Sequence, residues 1–129
     1  MFTVKQIEEA HNKMTSGADF PKYIQEIKQL GVTSFETFVK DGHTIYFGDN
    51  DYKTISEPLY NSFVIKNESD KEQFINYLKI HQNGETDFFT FCEHCAETGI
   101  EKWMMNLDEM TCIYYDIKNN EILVEEIPV

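Results

Sequence analysis

The sequence is short of basic residues, of cysteine and of long apolar runs. Eleven lysines and arginines stand against 23 aspartates and glutamates, a net charge of −12. That balance excludes a phosphate-binding surface for DNA or RNA, which needs clustered Lys and Arg. It also opposes binding to an anionic membrane. No apolar run reaches the roughly 18 residues of a transmembrane helix. The opening MFTVKQIEEAHNK has no basic stretch followed by an apolar core, so a signal peptide is not expected. Three cysteines, an odd number without an evident pairing, fit a reducing cytoplasm. The sequon Asn67-Glu68-Ser69 is then without meaning. Neither a glycine-rich phosphate loop nor a nucleophile motif occurs.

What is present argues for a folded chain. Hydrophobic content of 41% and aromatic content of 14% suffice for a core, and 129 residues suit one domain, 1–129. The most informative stretch runs from His81 to Trp103 and holds the CxxC pair, two of the four histidines and the single tryptophan. Gly84 ends a preceding helix. Thr86 and Asp87 offer side-chain oxygens to the free amides of the next one. Phe88, Phe91, Cys92, Cys95 and Ala96 then follow the spacing of one helical face. Gly99 closes that helix, and Ile100 opens a strand running to Leu107.

Cys92-x-x-Cys95 with His94 between them, and His81 nearby, is the pattern of a metal or redox site. Zinc needs four such ligands. The second pair is missing, and Cys112 and His81 complete the set only through long-range folding. Redox cysteines sit at a helix N-terminus, which lowers the thiol pKa. Cys92 lies more than a turn inside its helix. Two small buried apolar sulfurs are therefore the preferred reading, with Cys92, Cys95 and His94 as the metal alternative. No cofactor is expected.

In chain order, Thr3 caps a helix to about Thr15, with Val4, Ile7, Ala10, His11 and Met14 on one face, and Ser16-Gly17 breaks it. Asp19 caps the next, with Pro21 in its first turn and Phe20, Tyr23, Ile24, Ile27 and Leu30 as its stripe. Gly31 stops it. Val32 to Val39 and Thr44 to Phe47 form a hairpin through Asp41-Gly42. The acidic turn Gly48 to Asp51 lacks the spacings of a calcium loop. Tyr52 to Ile55 extends the sheet, and Leu59 to Lys66 reads as a further strand near an edge. A third helix spans about Asp70 to Gln82, with Phe74, Ile75 and Leu78 inward. Strands over Thr111 to Ile117 and Ile122 to Ile127 flank a turn at Lys118 to Glu121, and Pro128 ends the last.

A shift of 68 residues lays the chain on itself without a gap. Asp19-Phe20 falls on Asp87-Phe88, Gly31-Val32 on Gly99-Ile100, Phe35 on Trp103, and Ile45-Tyr46-Phe47 on Ile113-Tyr114-Tyr115. The expected fold is therefore α+β, with two related helix-helix-strand-strand(-strand) halves at 1–61 and 69–129. Antiparallel sheet packs against helix pairs, and 59–68 is a linker or extra strand. Cys92 and Cys95 fall on Ile24 and Ile27, as core positions would. His94 falls on Glu26, off the stripe and in solvent.

The runs Gly17-Ala18-Asp19-Phe20-Pro21, Gly31-Val32 and Asp41-Gly42-His43-Thr44 with Tyr46-Phe47 resemble the YbcV-like family of unknown function (DUF1398). So do His81-Gln82-x-Gly84-x-Thr86-Asp87, Thr90-Phe91-Cys92, Ala96, Gly99, Lys102-Trp103 and Thr111-Cys112. Members of that family often carry the label "phage envelope protein". The resemblance covers nearly the whole chain. It implies a small α+β domain of bacterial or prophage origin, and no established activity.

Three polar positions are candidates for catalysis. His43 at the hairpin tip is reachable by solvent and titrates near neutral pH. His81 and Asp87 make an acid–base pair if folding brings them within hydrogen-bond reach. Against this, Asp87 is explained by capping and His81 by a helix C-terminus. The expected function is a non-enzymatic interaction protein that binds a basic protein partner. The alternative is a metal- or thiol-dependent enzyme or small-molecule binder using the His81–Cys95 region.

Overall fold

The computed structural model describes residues 1–14 and 19–127. The Ser16-Gly17 helix break and the strand end at Pro128 lie outside the described residues. Ten elements follow one another: α1 (Val4–Asn12), α2 (Phe20–Leu30), β1 (Ser34–Phe38), β2 (Thr44–Phe47), β3 (Lys53–Ile55), α3 (Lys71–Gln82), α4 (Phe88–Glu97), β4 (Ile100–Asn106), β5 (Thr111–Asp116) and β6 (Glu121–Glu126). The strands form one antiparallel sheet in the order β3-β2-β1-β4-β5-β6. The fold is α+β, as the sequence implies.

Local chemistry sets most boundaries. Thr3 and Gln6 close a reciprocal capping box on α1. Gly31, in the left-handed region at φ 112°, stops α2. Asp70 and Asp87 each accept an amide three residues on, opening α3 and α4. Asp19 stands at the matching position of α2, yet its side chain makes no capping bond, because its backbone is already helical at φ −85° and ψ −5°. The expected cap at Asp19 is corrected to that extent. His11 is also corrected: it is exposed, its ring at right angles to that of Tyr23, while Ile7 and Ala10 are the buried residues of α1.

One face of the sheet carries the core. Phe35, Thr37, Trp103, Cys112 and Tyr114 point into it, against Ile7, Ile24, Ile27, Phe74, Phe91, Cys92 and Cys95 from the helices. The expected strand at Leu59–Lys66 does not form. Pro58 has no amide for a ladder, and the amides of Leu59, Phe63 and Lys66 go instead to Asp41 O, Lys40 O and Ala96 O. The segment is a strap that crosses the β1–β2 hairpin tip and runs along α4.

The two hairpins share a register. Phe35 pairs with Tyr46 and Trp103 with Tyr114, the same pairing displaced by 68 residues. At the centre Glu36 pairs with Met104, which is its own counterpart under that shift. β6 departs from the pattern, with a register slip between Tyr114 and Tyr115. Descent of the two halves from one duplicated unit is a proposal that these registers support.

Candidate functional site

The strap builds the most distinctive surface of the molecule. The Tyr60 hydroxyl donates to the Val39 carbonyl and also lies beside Cys92. That bond holds the Tyr60 ring over Gly42, where an added Cβ would come within 2.8 Å of it. Phe63 and Phe89 complete a triangle of rings with centroids 4.8, 5.4 and 5.3 Å apart. They line an open depression of about 670 Å³ together with Pro58, Leu59, Asn61 and Ser62. Leu59 is 66% exposed and Phe89 48%. Apolar side chains that cluster on a surface are candidates for contact with another molecule. Sequence reasoning missed this site because it read 59–66 as a strand and did not single out Phe89. The signal was there in Leu59, Tyr60, Phe63 and Val64, which are too apolar for a plain linker.

The three candidate acid–base residues do not come together. His43 sits beside the depression, on the hairpin that the strap covers. Its Nδ1 donates to Asp41 Oδ1 at 2.5 Å, its amide donates to the same oxygen at 3.1 Å, and its ring lies flat on Phe38. Burial acts to raise the Asp41 pKa, but the bonds and charge of His43 outweigh it, and the carboxyl titrates below its ordinary range. The sequence suggested His43 and gave no reason to couple it to Asp41, since the pair depends on the turn geometry.

His81 lies at the end of α3, against the N-terminal turn of α4. Its Nδ1 is 3.1 Å from both the carbonyl and the hydroxyl oxygen of Thr86, and its ring stacks on Phe91. Burial lowers its pKa, opposed by the Thr86 bond and the Asp87 charge. Asp87 itself is exposed and caps α4 through the Thr90 amide at 2.8 Å. The imidazole thus bonds Thr86, and the carboxylate serves the helix end.

Cys92 and Cys95 are fully buried, and Cys112 faces them from β5. Burial raises all three thiols, to about 11 for Cys92 and about 12 for Cys112. A thiol with so little thiolate at neutral pH is a poor nucleophile and a poor ligand. His94 is corrected from its expected solvated place. It is half-buried, its ring stacked on Tyr77 of α3 at 3.7 Å, and its Nδ1 is buried without a hydrogen-bond partner. The packing of α3 on α4 covers it. Among the described residues no group of three or more His, Cys, Asp or Glu is placed to hold a metal ion.

The family model for "Protein of unknown function (DUF1398)" matches residues 8–126. The chain belongs to the DUF1398 family. No curated protein matches it. Among the described residues of this DUF1398 chain, no helix is long and apolar enough to cross a membrane.

Proposed function

We propose that this DUF1398 protein is a non-enzymatic interaction protein, and that the aromatic depression receives an apolar side chain from a basic, amphipathic segment of a partner protein. The ring cluster of exposed Phe89 with half-buried Tyr60 and Phe63 carries this reading. Aromatic anchors seated in a pocket supply most of the binding energy at protein interfaces. Charge selects the partner. Glu57 adjoins Pro58, Asp87 precedes Phe89 by two residues, and Glu93 lies one turn along α4 from Phe89; all three are exposed. With −12 overall, the field around the depression attracts cations and speeds their approach.

Full burial of Cys92 and Cys95 is the reason the thiol- or metal-dependent alternative ranks second. A cytoplasmic location belongs to the same reading and rests on the three free cysteines. Bacterial or prophage origin rests on the family resemblance.

The test is titration calorimetry with a Lys/Leu/Trp amphipathic peptide, an acidic peptide of the same pattern, and the Phe89→Ser variant. Binding of the basic peptide alone, weakened about tenfold or more by Phe89→Ser and by added salt, is the expected result. Equal binding of both peptides, or indifference to Phe89→Ser, would overturn the proposal.

A further inference from the structure

The sheet has a second face, and an apolar row crosses its middle. Alternate residues of a strand point to opposite faces. With Phe35, Thr37, Trp103, Cys112 and Tyr114 turned to the core, their neighbours turn outward. Following the pairing strand by strand gives an outward row across all six: Ile55, Ile45, Glu36, Met104, Ile113, Val124. None of these side chains belongs to the core or packs against it. Ile55 and Val124, at the two ends, are 55% and 52% exposed. A parallel row reads Lys53, Phe47, Ser34, Asn106, Thr111, Glu126. Antiparallel sheets ordinarily give water a polar outer face. The central row of this one offers water five apolar side chains in six.

We propose that this face pairs with the same face of a second copy, in a twofold dimer whose axis runs parallel to the strands. Such an axis reverses the strand order, so β3 lies over the partner's β6. Reversed on itself, the central row sets Ile55 over Val124 and Ile45 over Ile113, apolar against apolar. The second row sets Lys53 over Glu126, so opposite charges meet at both edges. Phe38 comes over Lys102, whose Nζ already lies 5.8 Å from the Phe38 ring of its own chain. Glu36 is the polar exception, and Lys102 Nζ stands 3.8 Å from its carboxylate to offset its desolvation.

Net charge does not forbid the pairing. Lys53 and Lys102 against Glu36, Glu121 and Glu126 make this face nearly neutral, so the repulsion of two acidic chains comes from elsewhere and is screened within about 8 Å at physiological salt. Six strands about 4.8 Å apart and about 18 Å long give a footprint of about 500 Å² per copy. That is at the low end for a specific interface, which points to a dimer in the micromolar range.

Sedimentation of the full chain from about 1 µM to 1 mM tests this. A monomer–dimer equilibrium that tightens with salt is expected. Ile113→Glu and, at the exposed end of the row, Val124→Lys each weaken it about tenfold or more, with Trp103 fluorescence and melting temperature reporting the fold. Lys53→Glu alone weakens the dimer, and Lys53→Glu with Glu126→Lys restores it. A chain that stays monomeric throughout, a dimer untouched by Ile113→Glu and Val124→Lys, or a charge exchange that restores nothing would overturn the arrangement.

Discussion

Asp41 and His43 are joined twice, by ring nitrogen and by backbone amide, to the same carboxylate oxygen. The pair stiffens the hairpin tip that carries Lys40 and Asp41, whose carbonyls hold the strap in place. Because the folded Asp41 pKa lies below its unfolded value, its contribution is complete above about pH 4 and is lost as pH falls through the folded pKa. Asp41→Asn should cost about 1–2 kcal/mol at pH 7 and less in acid. Urea unfolding at pH 7 and pH 3 measures this, and an equal loss at both would refute it.

His81 titrates in a higher window with the same sign. Its folded pKa is lowered by burial, so its stabilising effect is present above about pH 6.5 and fades as pH falls through the folded value. His81→Gln should flatten the stability profile between about pH 7 and pH 5. Melting temperatures across that range check it, and an unchanged slope would assign the proton uptake elsewhere.

The three sulfurs are expected to be inert in the native state. Titration with a thiol reagent at pH 7.5 should find no fast-reacting cysteine, and all three after unfolding in guanidinium. Cys95→Ser, which places a hydroxyl where burial is complete, should destabilise by about 1–3 kcal/mol, and Cys95→Ala by less. Rapid native reaction at Cys92 or Cys95 would revive the thiol chemistry set aside above.

Two glycines in the left-handed region separate backbone strain from steric closure. Gly84 has φ +79° and open space around it, whereas a Cβ at Gly99 (φ +80°) would fall 2.6 Å from Glu68 O and 2.7 Å from Ser69 Cα. Gly84→Ala should cost about 1 kcal/mol. Gly99→Ala must also displace backbone and should cost about 3 kcal/mol or more. Chemical denaturation of the two variants gives the comparison, and similar losses would contradict the close approach.

Helix positions, most caps and the turns at Asp41-Gly42 and Lys118 to Glu121 were legible in the sequence because they depend on local chemistry: Thr3, Gly31, Asp87 and Asn119 act on neighbours a few residues away. The strap was not legible, because its amides are satisfied by partners such as Asp41 and Ala96 that no periodicity reveals. The same holds for the Asp41–His43 bond and for the Tyr77–His94 stack. Capping by analogy misled at Asp19, where one dihedral angle separates a cap from a helical residue. The outer sheet face was hidden for another reason. Glu36, Met104 and Ile113 become one row only once β1 is known to pair with β4.

The meeting of Glu36 with Met104 has a consequence for the chain in pieces. Cut within the strap, the polypeptide gives two fragments, each a helix pair with three strands, and each leaves β1 or β4 with a row of amides and carbonyls facing water. Neither fragment has a way to cover that seam except by finding the other, or a copy of itself. Cleaved protein should therefore stay associated, and partly translated chains are most at risk of sticking to one another before β4 emerges.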